Sequence, residues 1–319
     1  MDGPVHWVLR LGEVGLKSKP VRRMFQRSMK RSIAASSKRW EIPLRPSFGR
    51  EQIIVRSDAP VEDVEEALCH QLGIVAIDRV RHLGEAGPLG PMAKHLVDAE
   101  GQRGVARTFG VKCRRVGQVE GWTSPAYAAA LGAALVAEDP SLSVDLSNPN
   151  WWVHVHLRKT GVDLVERRLT GPGGLPAGAQ GDVLVRLENE RDLAAAFLIM
   201  RRGCRLLPLQ HSDAALVERL RRWDQNIGHR SMHHTHDGQV RERPSWGMIG
   251  LSVDASDPRV GRTESEVKTT PLASLDPLMG WTEGEVSNLL KHIDAPWRFP
   301  PDPDGRSWLS DEAWTGVVA

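Results

Sequence analysis

Between Val14 and Trp40 the chain carries nine basic residues, Lys17, Lys19, Arg22, Arg23, Arg27, Lys30, Arg31, Lys38 and Arg39, and no Asp or Glu. A run of this kind either forms a solvated helix face or meets a phosphate backbone. Having no acid to neutralise the field, it favours the phosphate-facing reading. A second basic set lies at Lys112, Arg114 and Arg115, and a further arginine, Arg158, closes WWVHVHLR. Within that segment Trp151 and Trp152 offer indole faces to bases, but period-two alternation sends one of them inward. Trp152, in step with His154, His156 and Arg158, is the surface candidate.

Other chemistry-bearing groups read more plainly. His229, His233, His234 and His236 gather beside Asp237. His229 and His233 have the i, i+4 spacing of a helical metal pair, yet the glycine and charged residues around them fit an exposed His-rich loop, and no metal is expected. Asp254 and Asp257, beside Pro258, read as turn formers rather than a magnesium pair. Cys69, Cys113 and Cys204 lie far apart, form no CxxC pair and sit among apolar neighbours, so each reads as a small buried hydrophobe.

These groups need elements to hold them. The 319 residues exceed what one core usually supports, and 40% hydrophobic with 26% charged residues suits a folded chain of two or three domains. Net charge is only +2, so the distribution of charge says more than its sum. No run approaches the 18 apolar residues of a membrane span, and a soluble cytoplasmic protein is expected.

From Pro20 to Ala34, Val21, Phe25, Met29 and Ile33 recur every four residues with Met24 beside them, which predicts a helix; Arg23, Arg27, Lys30 and Arg31 fall on its outer face. WVLRLGE before it and GREQIIVRS after it read as strands, PVEDVEEALCHQLG as a helix and IVAIDRVRHL as a strand, with GEAGPLGP ending the unit. RTFGVKCRRV reads as a strand, apolar at Phe109, Val111 and Cys113 and basic on the other face. TSPAYAAALGAALVAE is an Ala-rich helix, followed by strands at SLSVDLSNPN, WWVHVHLRK and VDLVERRL. Beyond TGPGGLPAGAQG, too rich in Gly and Pro for regular structure, GDVLVRL, RDLAAAFLIMRRG, CRLLPLQ and SDAALVERLRRW alternate strand and helix, which predicts a parallel sheet. SWGMIGLSV suggests another strand, and TEGEVSNLLKHID a helix capped by Thr282 with Glu285 three residues on.

Three segments together carry a resemblance. RLGEVGLKSKPVRRMF at 10–25 resembles the Gly-Glu-hydrophobic-x-x-Lys-x-Lys opening of tRNA 4-thiouridine synthetases. FGVKCRRVG, the helix behind it and VDLSNPNWWVHVHLRK resemble a THUMP domain, and GPGGLPAGAQG at 171–181 resembles the linker of that family. The resemblance implies an N-terminal ferredoxin-like domain over 1–85, a THUMP RNA-binding domain over 86–169, a Gly/Pro linker over 170–181 and a PP-loop adenylation-type domain over 182–319. The fold class expected is thus an α+β half, ferredoxin-like plus THUMP, followed by a shortened α/β Rossmann-like PP-loop domain of HUP type.

In that family the strand after the linker runs into Ser-Gly-Gly-x-Asp-Ser, whose backbone amides approach the pyrophosphate of ATP. Here Glu188-Asn189-Glu190-Arg191-Asp192 stands in its place, one residue shorter, without glycine and with three carboxylates. Unit charges 4 Å apart interact by roughly 4 kcal/mol at an effective dielectric of 20, so one carboxylate facing a phosphate would cancel much of an ordinary ATP affinity. The family also uses a persulfide-carrying cysteine, and the cysteines of this chain stop at Cys204. WGMIGLSVDASDPRVGR keeps little of the family's Gly-Glu-Ser-x-Gly-Gln stretch, whereas PLASLDPLMGWTEGEVSNLLKHID resembles its closing helical region.

The expectation is therefore a tRNA-binding protein that uses Lys17, Lys19, Arg22, Arg23, Arg27, Lys30, Arg31, Lys112, Arg114, Arg115 and Arg158, with a degenerate nucleotide loop, no catalytic residue and no cofactor. It would act as an accessory or paralogous tRNA-modification factor. The alternative is an active tRNA sulfurtransferase with an atypical loop, which would need ATP, magnesium and an external sulfur donor. Partners expected are tRNA and a sulfur-donor or tRNA-modification protein; a protein-interaction scaffold without RNA affinity would leave the basic run unexplained. Neither membrane nor DNA is an expected partner.

Overall fold

The structure, a computed structural model, describes residues 4–12, 18–49, 52–234, 239–249 and 272–301. Two compact units are formed, one from Met1–Val8 with Asp78–Arg168 and the other from Leu9–Ile77 with Leu169–Ala319. Strands β1 (Val5–Leu11) and β4 (Ile74–Gly84) pass from one unit into the other.

In the first unit, α3 (Leu89–Glu100), β5 (Arg107–Val116), α4 (Ser124–Glu138), β6 (Leu142–Val144), β7 (Trp151–Arg158) and β8 (Gly161–Thr170) follow the end of β4. The strand order is β4-β8-β7-β5-β6. β5 pairs in parallel with both β6 and β7, while β7 and β8 are antiparallel. Met92, Leu96 and Val97 of α3 and Tyr127, Leu131 and Leu135 of α4 pack on Phe109, Val153, Val155 and Leu157, so both helices cover one face of the sheet. The helix α3 is not apparent in the chain's periodicity because Gly87, Pro88, Gly90 and Pro91 crowd its start. Pro88 and Pro91 stand where the first-turn amides lack an intrahelical partner, a place a helix tolerates proline.

The second unit begins with the end of β1, then α1 (Lys19–Arg39), β2 (Arg45–Phe48), β3 (Gln52–Arg56) and α2 (Val61–Cys69), before the start of β4; the strand order is β2-β3-β1-β4. Of the predicted stripe on α1, Phe25, Met29 and Ile33 are buried, but Val21 and Met24 are 36% and 40% exposed. β2 escapes prediction because Arg45–Phe48 lacks an alternating pattern; its pairing with β3 supplies the order that its own side chains do not.

Its remaining elements are β9 (Asp182–Val185), α5 (Glu190–Arg201), β10 (Arg205–Pro208), α6 (Ala214–Arg221), β11 (Met232–His234), β12 (Val240–Glu242), β13 (Gly247–Ile249), β14 (Ala273–Leu275) and α7 (Glu283–Asp294). The sheet β10-β9-β13-β14 is parallel throughout, as the strand and helix alternation predicts, and β11 and β12 form a separate antiparallel pair. Val183, Val185, Phe197, Leu206, Trp223, Leu289 and Ile293 make the core between this sheet and its helices.

The Gly/Pro segment expected as a linker is a packed part of this unit. Gly73 donates its amide to Gly173 O at 2.7 Å, and Gly173 donates to Ile74 O at 2.7 Å. Gly174 sits at φ 73° with no room for a side chain, since a Cβ there would lie 2.1 Å from Arg201 O.

Candidate nucleic-acid interface and nucleotide loop

On α1 the outer face forms as predicted. Arg23, Arg27, Lys30 and Arg31 are exposed and Arg22 is half-buried; Lys19 lies in the first turn, and Lys17 lies outside the described residues. Near the end of the helix Arg39 pairs with Glu218, and so belongs to packing.

In the first unit the face of the sheet away from α3 and α4 carries Lys112 and Arg114 of the second basic set, whereas Arg115 falls on the side of α4. Register places Lys112 opposite His154 and Arg114 opposite His156. Trp152 lies across Gly110: a Cβ on that glycine would fall 2.5 Å from the indole Cζ3. The Lys112 ammonium stands 3.7 Å from the centre of the same ring, a cation held over a π face. The stacking surface assigned to Trp152 is therefore capped by its own lysine, which must swing aside for a base. Arg115 donates to Trp122 O at 2.9 Å, and Arg114 is exposed.

Arg158 and His156 differ from a surface reading. Arg158 Nε donates to Asp163 Oδ2 at 2.7 Å and its side chain is 12% exposed. His156 is buried and lies 3.6 Å from Asp78, which Arg168 also binds. Burial lowers the pKa of His156 to about 4 against the pull of Asp78, so at neutral pH this contact joins a carboxylate to a neutral imidazole rather than to a cation. Burial opposes the charge of Asp163, but hydrogen bonds from His6 and His82 hold its carboxyl below the usual range. His6, Asp78, His156 and Asp163 thus form a buried polar layer beneath the open face. Nothing in local sequence signals it, because the partners stand about 75 to 160 residues apart.

Residues Glu188–Asp192, expected from the sequence in the place of a phosphate loop, stand beyond the carboxyl end of β9, where ligands of open parallel sheets bind. Asn189 caps α5: its Oδ1 accepts from Arg191 N at 2.9 Å and Asp192 N at 3.1 Å. Asp192 Oδ2 in return accepts from Glu188 N at 2.9 Å and Asn189 N at 3.2 Å, completing a capping box. Four backbone amides at the start of α5, those of residues 188, 189, 191 and 192, are thereby taken by side chains of the same segment. Glu188 pairs with Arg186, Glu190 with Arg219 and Arg191 with Glu283.

Cys113 and Cys204 have raised, not lowered, thiol pKa values. Burial and Asp182 raise the Cys204 thiol to about 11, burial raises Cys113, and Cys69 is buried. Cys113 departs from the reading of a fully buried hydrophobe in being half-buried. His229 lies in a bend and His233 in β11, so their spacing is not helical; His236, Asp237, Asp254 and Asp257 lie outside the described residues. Among the described residues no cluster of His, Cys, Asp or Glu could hold a metal ion, and no helix is long and apolar enough to cross a membrane.

Residues 92–165, which run from within α3 through β7 and half of β8, match the THUMP domain family. A protein of Methanobrevibacter smithii named "Probable tRNA sulfurtransferase" is 34% identical over 214 residues, covering 65% of this chain and 54% of that protein. The chain spans about half the length of the curated relatives it matches. Two crystal structures share the fold: the PH1313 protein of Pyrococcus horikoshii, with TM-score 0.68, 21% identity and coverage of 91% of this chain and 99% of that one, and a 4-thiouridine synthetase in complex with RNA and ATP, with TM-score 0.61, 18% identity and coverage of 91% and 85%. Residues 92–165 thus carry a THUMP domain, in a chain of mixed α/β fold. Over about two thirds of its length the chain is similar in sequence to tRNA sulfurtransferases.

Proposed function

We propose that this chain binds tRNA and does not activate it with ATP. We read its parts as a ferredoxin-like domain over 1–85, the THUMP domain over 86–169, a Gly/Pro connecting segment at 170–181, and a shortened, degenerate PP-loop domain over 182–319. RNA contacts fall to two basic faces: Lys17, Lys19, Arg22, Arg23, Arg27, Lys30 and Arg31 at the first, and Lys112, Arg114 and Arg115 at the second. Arg158, tied to Asp163, positions the turn after β7 rather than reaching far for a phosphate.

One observation carries the reading: Asn189 and Asp192 occupy the amides of residues 188, 189, 191 and 192. Opening them to a polyphosphate would break a capping box, at about 1 kcal/mol for the cap alone, and bring three carboxylates against the ligand. The chain then serves as an accessory or paralogous factor in tRNA modification, handing bound tRNA to a sulfur-donor or modifying protein. Calorimetric titration with Mg-ATP, before and after saturation with tRNA, tests this: heat of ATP binding at micromolar affinity would contradict it. The second reading, an active sulfurtransferase with an atypical loop and an external sulfur donor, is favoured by the activity named for the relatives. It requires tRNA-dependent release of pyrophosphate from ATP, and none is expected here.

A further inference from the structure

Beside the exposed face of α1, within the second unit, runs a groove of about 650 Å³. Its floor is apolar, with Met24 40%, Met232 55% and Val240 54% exposed, and its rim is basic, with Arg27, Lys30, Arg31 and Arg243. A narrower cavity of about 190 Å³ shares Met24, Arg31, Met232 and Arg243 with the groove and adds Ser28, Arg205, Asp224 and Ser231. Arg205 opens β10 and Gly178 and Ala179 precede β9, so the cavity lies at the amino ends of the parallel strands. The loop Glu188–Asp192 stands at the opposite end of β9.

The lining sets three guanidinium groups against one carboxylate. That carboxylate is already occupied, since Asp224 accepts from Arg205 Nε at 3.2 Å and from Asn226 N at 2.9 Å. Gly178, at φ 77°, leaves space for Arg205: a Cβ there would come within 2.8 Å of Nη2. Arg31 and Arg243 make no ion pair among the described residues. Ser231 is fixed by its backbone, its amide donating to Asp182 Oδ2 at 2.7 Å and its carbonyl accepting from Arg243 N at 2.7 Å. Its hydroxyl, on a residue 8% exposed, has no hydrogen-bond partner among the described residues. A buried donor without an acceptor is costly, and such groups in native folds usually await a partner.

A hydroxyl donor among guanidinium groups suits an oxyanion, and an apolar floor continuous with it suits the ribose and base attached to that anion. We propose that the groove takes a single-stranded RNA segment and that the cavity seizes one of its phosphates through Arg31, Arg243 and Ser231. This rests on the RNA-binding reading above and adds to it a contact from the second half of the chain, supplied by the segment around β11 and β12.

The test uses the full chain with unmodified tRNA and a short oligouridylate, with affinities read by fluorescence anisotropy from about 50 to 300 mM KCl. Arg243→Ala is expected to weaken binding about five- to tenfold near 0.1 M salt and to flatten the slope of log K against log salt by about 0.7–0.9, the contribution of one phosphate. Ser231→Ala should weaken binding several-fold while leaving Tm unchanged or raised, because it removes an unsatisfied buried hydroxyl. Arg56→Ala, at the exposed last residue of β3, is the control expected to bind normally. If wild-type binding is strong and Arg23→Ala reduces it while Arg243→Ala and Ser231→Ala do not, the cavity proposal falls and RNA binding stands. Absence of any RNA binding overturns both, and polyglutamate competing as well as oligouridylate at equal charge overturns the assignment to RNA.

Discussion

At the residue scale, the contact between Trp152, Lys112 and Gly110 links packing to recognition. Gly110→Ala would place a methyl 2.5 Å from the Trp152 ring and 2.9 Å from Asp145 O, so the indole must leave its place on the sheet. The expected outcome is a several-fold loss of tRNA affinity with a shifted tryptophan emission; unchanged affinity would separate Trp152 from binding. Three buried imidazoles make a second prediction. Burial lowers His70 and His292 to about 3 and His156 to about 4 from an ordinary value of 6.5. The folded chain keeps them neutral while the unfolded chain protonates them near pH 6.5, so their contribution is complete above that pH and is lost as pH falls from about 6.5 toward 3 to 4. Each imidazole then adds a slope of up to about 1.4 kcal/mol per pH unit. Urea denaturation between pH 7 and 5 should show stability falling with acid, and His70→Phe should lower the slope by about one proton. Residue types alone located the basic face of α1, since Arg23, Arg27, Lys30 and Arg31 keep their helical phase. They misplaced His156 as a surface group, because its partner Asp78 is remote in sequence and alternation gives a face, not what covers it.

At the element scale, the capping boxes mark what local sequence can specify. Thr282 with Glu285 was legible as a helix start, and Asn189 with Asp192 does the same for α5, where the sequence shows equally well a missing glycine loop and a well-capped helix. The short strands were less legible: β2, β11, β12 and β14 have three or four residues each and owe their order to their neighbours. The Gly/Pro segment was legible as irregular but not as packed. Its role gives a test, for Gly174→Ala combines a left-handed backbone at φ 73° with a Cβ 2.1 Å from Arg201 O. It should cost at least about 2 kcal/mol and lower Tm by roughly 4 °C or more. A flexible tether would tolerate the change.

At the scale of the whole molecule, a net charge of +2 hides two basic faces, one in each unit. Arg39, Arg168, Arg186, Arg205 and Arg219 are consumed in ion pairs, while Arg23, Arg27, Lys30 and Arg31 of α1 and Lys112 and Arg114 of β5 stand exposed. The parallel sheet keeps its core and closing helix, while its loop at Glu188–Asp192 is satisfied from within. Tight binding of tRNA without nucleotide chemistry is what the proposed function expects of such a division. The most direct measurement is the tRNA association constant of the full chain across a series of KCl concentrations. With five or more cations engaged, log K should fall linearly against log salt with a slope of roughly −4 or steeper. Absent binding, or an affinity indifferent to salt, would contradict the account.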